Sequence, residues 1–85
     1  MSETITVTVK LFAAYQEVCG QSDLRWQFEP GEAVAAVGDR LYAQYPNLAR
    51  WREVTRYGVN LQFVPPETLL QDGDEVVLIP PVSGG

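Results

Sequence analysis

Residues 4–12 alternate in character: Thr4, Thr6, Thr8 and Lys10 are polar, while Ile5, Val7, Val9 and Leu11 are apolar. A period of two marks a strand with one face on a core. Phe12 breaks the alternation and falls on the same side as Lys10, so a large aromatic stands on the outer face, either as edge packing or as a contact surface. Ala13–Cys19 has neither Gly nor Pro and stops at Gly20, which predicts a short helical turn closed by a left-handed glycine. Asp23–Phe28 alternates again, with Leu24, Trp26 and Phe28 on one face, and predicts a second strand antiparallel to the first. Pro30-Gly31 ends it. From Glu32 the period changes. Val34, Val37, Leu41 and Tyr45 recur at helical spacing, with Glu32 suited to the positive end of the helix dipole and Pro46 as terminator. Gly38 inside that helix costs about 1 kcal/mol relative to Ala, and close packing against a sheet would explain it.

Residues 47–57 read as an amphipathic connector: Leu48, Trp51 and Val54 are spaced for a helical turn, and Arg50, Arg52 and Arg56 form a solvated basic face. Residues 59–64 predict a third strand, which Pro65-Pro66 keeps out of a central position. Asp72-Gly73-Asp74 is a turn feeding a last strand, Glu75–Ile79, that is apolar on both faces. Such a strand requires a central, covered position, usually among parallel neighbours. Setting the first and last strands side by side in parallel beneath one helix gives an α+β architecture of ββαββ order, the β-grasp (ubiquitin-like) layout. Residues 1–80 then form the domain, and residues 81–85 a flexible C-terminal Gly-Gly tail.

Composition narrows the chemistry. Eighty-five residues make one domain, and 46% hydrophobic residues are enough for a core. A net charge of −5, with six basic residues against eleven acids, argues against a nucleic-acid partner. The absence of an apolar run near 20 residues and of a basic-then-apolar leader predicts a cytoplasmic chain with no membrane partner. There is no histidine, and Cys19 is the single cysteine. No metal-ligand spacing, phosphate loop or nucleophile–base pair is present, so self-contained catalysis is not expected. Cys19 reads as a small buried residue rather than a nucleophile. The Asp72, Asp74 and Glu75 cluster reads as a solvated turn rather than a calcium site. Tyr42, Tyr45, Trp51 and Tyr57 read as packing rather than as a base-stacking platform.

What remains is Pro81-Val82-Ser83-Gly84-Gly85. It is either a frayed end or a sterically open carboxylate on an arm that another protein can reach. Three segments bear on the choice: Val9-Lys10-Leu11-Phe12-Ala13 with Glu17-Val18-Cys19-Gly20; Val59-Asn60; and Asp72-Gly73-Asp74-Glu75-Val76 running through Pro80-Pro81-Val82-Ser83-Gly84-Gly85. Together, in order and over essentially the whole chain, they resemble the ThiS/MoaD family of sulfur carriers, in particular the small subunits of molybdopterin synthase.

The resemblance implies a non-catalytic small subunit that acts as a sulfur-donating co-substrate. It binds no cofactor itself. A ubiquitin-activating-type adenylyltransferase would consume ATP to place AMP on the Gly85 carboxylate, and a persulfide enzyme would then supply sulfur to give a thiocarboxylate. The large synthase subunit, in a heterotetramer of two large and two small subunits, would admit the tail of Pro81, Val82, Ser83 and Gly84. There the sulfur would attack cyclic pyranopterin monophosphate in molybdenum cofactor biosynthesis. The resemblance also places a partner interface at Phe12, Phe63, Ile79 and Pro80, with core packing the plainer expectation for Ile79. Two positions depart from the family pattern: Gln16 stands where a basic residue is common, and Ile79 where an aromatic is common. The competing readings are a carrier for thiamine thiazole synthesis or tRNA thiolation, a ubiquitin-like modifier joined to lysines, and an interaction module with an inert tail.

Overall fold

The computed structural model describes residues 3–80. The expected tail, residues 81–85, lies outside them. Strands β1 (Ile5–Leu11), β2 (Asp23–Phe28), β3 (Arg56–Val59), β4 (Gln62–Val64) and β5 (Glu75–Ile79) form one mixed sheet in the order β2-β1-β5-β3-β4. The parallel pair is β1 with β5, in register from Thr8 opposite Glu75 to Leu11 opposite Leu78. Antiparallel pairing joins β1 to β2, β3 to β5 and β3 to β4. The strand apolar on both faces therefore occupies the centre, as expected of a β-grasp sheet. Helix α1 (Ala13–Cys19) closes on Gly20 at φ 75°, the left-handed stop read from the sequence.

Two boundaries differ from expectation. The single strand expected over residues 59–64 is a hairpin, with β3 beginning at Arg56 and a reversal at Asn60 and Leu61. Both turn residues have positive φ, 51° and 72°, the backbone twist that tight two-residue hairpins need. Asn60 tolerates that conformation and is pinned in it: its amide nitrogen donates to Asp74 Oδ1 at 3.0 Å, and its side-chain oxygen accepts from the Glu75 N–H at 3.0 Å. Among the described residues the order is thus ββαβββ, with five strands.

The main helix, α2 (Ala35–Gln44), starts three residues later than its apolar period suggests. The backbone of residues 32–35 is engaged instead by the segment before β5: Val34 N–H donates to Thr68 O, Ala35 N–H to Pro66 O, and Leu70 N–H to Glu32 O. The Glu32 carboxylate does not cap the helix. It accepts from the Glu29 N–H at 2.8 Å and closes the turn before it. After α2, a 3-10 helix (Pro46–Trp51) forms the connector.

The core lies between the sheet and α2. Val7, Val9 and Leu11 of β1, Val76 and Leu78 of β5 and Tyr57 of β3 meet Val34, Val37, Leu41 and Tyr42, with Tyr15 and Leu48 closing one end. Each fully buried aliphatic side chain stabilises the fold by about 1.5–3 kcal/mol. Gly38 behaves as expected, since a Cβ there would collide with the Tyr57 hydroxyl. The polar content of the core is a closed cluster. The Tyr15 and Tyr42 hydroxyls lie 3.0 Å apart, both contact the Thr55 hydroxyl, and Thr55 donates to Trp51 O at 2.7 Å. Burial raises the Tyr15 phenol far above its ordinary value and pushes Tyr57 up to about 12. Tyr42 and Tyr57 are buried, and Tyr45 and Trp51 pack half-buried against the core, which accounts for these four aromatics as packing.

Candidate functional site: the outer face at the end of the central strand

Strand β5 alternates between two faces. Val76 and Leu78 point to the core, while Val77 and Ile79 point the other way, away from α2. Opposite Val77 in the pairing stands Gly58, and opposite Gly58 stands Phe63. With no side chain at Gly58, the sheet dips there. Phe12, Leu61, Gln62, Phe63, Val77 and Ile79 ring a shallow, almost wholly apolar concavity of about 230 Å³ around it. Phe12 is 50% exposed, Phe63 71% and Leu61 91%. A cluster of large apolar side chains this open makes the concavity a candidate contact surface.

The structure thus brings together three of the four interface residues expected from the resemblance, Phe12, Phe63 and Ile79. Ile79 is half-buried on the outer face rather than in the core, and Pro80 is buried and does not line the concavity. Phe12 precedes α1 in an extended conformation, φ −128°, and this lifts its ring away from the core. Leu61, Val77 and Gly58 were not anticipated. Leu61 could not be placed while residues 59–64 read as one strand, because its exposure follows from the hairpin turn. Residues 81–85, including the expected reactive Gly85, lie outside the described residues, but the strand that carries the chain toward them is the one bordering this surface.

A hydrogen-bonded latch holds the surface in shape. Besides receiving the Asn60 amide, Asp74 accepts the Gln71 N–H at 2.8 Å, and Asp72 accepts the Thr6 N–H at 2.8 Å. Gly73, at φ 86°, donates its N–H to Thr6 O. The carboxylates of the acidic turn are therefore engaged by the Thr6 and Gln71 N–H groups and the Asn60 side-chain amide, the last fastening the β3–β4 turn to the start of β5. Among the described residues no group of three or more Cys, Asp or Glu is arranged to hold a metal ion. Cys19 is half-buried, and burial pushes its thiol up, away from the thiolate a nucleophile needs. Lys10 and Glu75 form a loose 3.9 Å pair on the outer face. No helix among the described residues is long and apolar enough to cross a membrane.

This sheet order, with a helix on one face and a bare apolar surface on the other, is the β-grasp arrangement of ubiquitin-like proteins. Within it the chain belongs to the ThiS family, whose sequence model matches residues 9–85. A Mycobacterium tuberculosis relative named molybdopterin synthase sulfur carrier subunit is 35% identical over 82 residues, covering 95% of this chain and 99% of its own. Among solved structures, small archaeal modifier protein 1 of Haloferax volcanii superposes with a TM-score of 0.80 at 26% identity, covering 92% of this chain and 99% of its own. Subunits 1 and 2 of a molybdopterin-converting factor from Helicobacter pylori, solved as a complex, include a chain of the same fold. It has a TM-score of 0.65 at 22% identity, covering 95% of this chain and all of that one.

Proposed function

We propose that the chain is the sulfur carrier of a molybdopterin synthase and that its reactive group is the Gly85 carboxyl. The observation that carries this reading is the apolar surface of exposed Phe12, Leu61 and Phe63 with half-buried Ile79, at the end of the strand leading into residues 81–85. That surface docks the body on the large synthase subunit, and the five residues beyond Pro80 reach at most about 17 Å into it. The family match runs through residue 85, and the tuberculosis relative bears the corresponding name.

The chemistry divides a difficult substitution into steps. The Gly85 carboxylate attacks the α-phosphorus of ATP on an adenylyltransferase of the ubiquitin-activating type, releasing pyrophosphate and forming an acyl adenylate. A persulfide sulfur attacks the acyl carbon and AMP departs. A thiol then cleaves the S–S bond and leaves the thiocarboxylate. Carboxylate oxygen leaves poorly and AMP leaves well, while the thiocarboxylate sulfur is the stronger nucleophile toward the pterin precursor. Two such transfers supply the dithiolene sulfurs. The described residues contribute no acid, base or metal to these steps; they hold and aim the acyl group.

The test is reconstitution. The thiocarboxylated chain, incubated with the large subunit and cyclic pyranopterin monophosphate, is expected to give molybdopterin in proportion to the carrier consumed. No conversion, with a carrier of known competence active in parallel, would refute the pathway assignment. The likeness to small archaeal modifier protein 1 favours one second reading, in which a lysine amine takes the acyl group instead. Under it the chain would appear in amide linkage to other proteins, and the pterin assay would stay blank.

A further inference from the structure

A second depression lies around the β4 edge from the apolar surface. It has a volume of about 550 Å³, and its lining includes Ala35 and Asp39 of α2, Arg52, and Arg56, Tyr57 and Phe63 of the β3–β4 hairpin. Phe63 lines both this groove and the apolar concavity, so the two adjoin at its side chain.

The three arginines of the connector differ in what they do. Arg50 lies 4.6 Å from the Trp51 ring centre. Arg52 reaches Asp39 at 3.6 Å and lies 5.3 Å from the Tyr42 ring centre. Arg56 is exposed and has neither an ion pair nor an aromatic partner among the described residues. It stands directly opposite Ile79 in the β3–β5 pairing, so it shares the outer face with the last residue of the central strand.

We propose that the docking surface continues past Phe63 to the Arg56 end of this groove, where Arg56 receives a carboxylate of the large synthase subunit. The proposal rests on the carrier reading above and adds to it a polar contact that sets orientation. An apolar patch supplies affinity but tolerates rotation, whereas an arginine fork meeting a carboxylate has directional bonds. Placed next to Ile79, that contact fixes how the body is turned about the root of the tail. Charge selects the occupant: of the two arginines lining the groove, Arg52 is paired with Asp39, and Arg56 is the one with no ion pair among the described residues, so an incoming acid seats at Arg56. On a chain of net charge −5, an unpaired arginine bordering an apolar surface complements an acidic partner segment rather than a basic one.

Titrating the full-length chain into the large subunit at low and at high salt tests this. Arg56→Ala is expected to weaken binding about tenfold at low salt and to flatten the salt dependence, with Arg56→Lys recovering part of the loss. Phe63→Ala is expected to weaken binding at both salts. Arg25→Ala, on the far edge strand, should leave binding unchanged, and melting curves should show all four variants folded. If Arg56→Ala binds as tightly as the parent at both salts while Phe63→Ala does not, the groove contact is refuted and the apolar docking stands. If Phe63→Ala also binds normally, the docking reading itself fails and the groove proposal with it.

Discussion

On the inner face of the sheet Val76 and Leu78 are fully buried beneath α2, whereas Val77 and Ile79, their neighbours on the outer face, border a concavity open to solvent. The same five-residue strand thus carries two apolar rows under different constraints. The inner row is covered by the chain's own helix, and replacing any member leaves a void. The outer row has no cover from α2, and its surroundings are Phe12, Leu61 and Phe63, all large and all exposed. A strand apolar on both sides requires two covers, and the described residues supply one. On the proposed carrier reading the other is left for the partner, so the inner face answers for stability and the outer face for recognition.

Substitutions can break that division. Leu78→Ala, in the inner row, should cost about 2–5 kcal/mol in chemical denaturation, the range for a buried leucine that leaves a cavity. Gly38→Val should cost about 1–3 kcal/mol, because its side chain would be driven against the Tyr57 ring and hydroxyl; adding Tyr57→Phe should return part of the loss. The buried phenols should make the inner face sensitive to alkali. Folding holds the proton on Tyr57 up to about pH 12, while the unfolded phenol loses it near its ordinary value of 10.0. The folded state therefore binds more protons in that interval, and stability should fall as pH rises from about 10 to about 12. The fall should be shallower in Tyr57→Phe, and an identical slope in parent and variant would remove the assignment.

The smallest effect on stability should come from the outer face. Phe63→Ala is expected to change unfolding free energy by no more than about 0.5 kcal/mol. The same change should weaken binding to the large subunit by at least about tenfold, as for an aromatic anchor. A Phe63 variant that unfolds easily and binds normally would invert the comparison.

Most of the inner face was legible in the sequence because it is periodic. Val7, Val9 and Leu11 alternate, Val34, Val37 and Leu41 recur at helical spacing, and the doubly apolar β5 demanded the centre of the sheet beside β1. Gly20 and Gly38 each announced a local constraint that the structure contains. The outer face was legible only where a residue broke a pattern, as Phe12 did, or through the family resemblance. The Asn60-Leu61 reversal escaped because no glycine marks it; its left-handed backbone is held by Asp74, fourteen residues away. The late start of α2 escaped for a similar reason, since the backbone of residues 32–35 bonds to residues 66–70. The groove beside Arg56 arises only when α2 and the β3–β4 hairpin are brought together, which no local spacing encodes.

The central claim is that Gly85 carries the chemistry, and an intact-mass measurement addresses it most directly. The chain would be incubated with ATP, an adenylyltransferase of the ubiquitin-activating type and a persulfide donor, then digested to locate any change. Exchange of one carboxyl oxygen for sulfur predicts a gain of about 16 Da on the peptide bearing Gly85, absent without ATP and absent in Gly85→Val, which should melt like the parent. An unchanged C-terminal peptide, with a competent carrier modified in the same mixture, would contradict the account, as would the same gain in Gly85→Val.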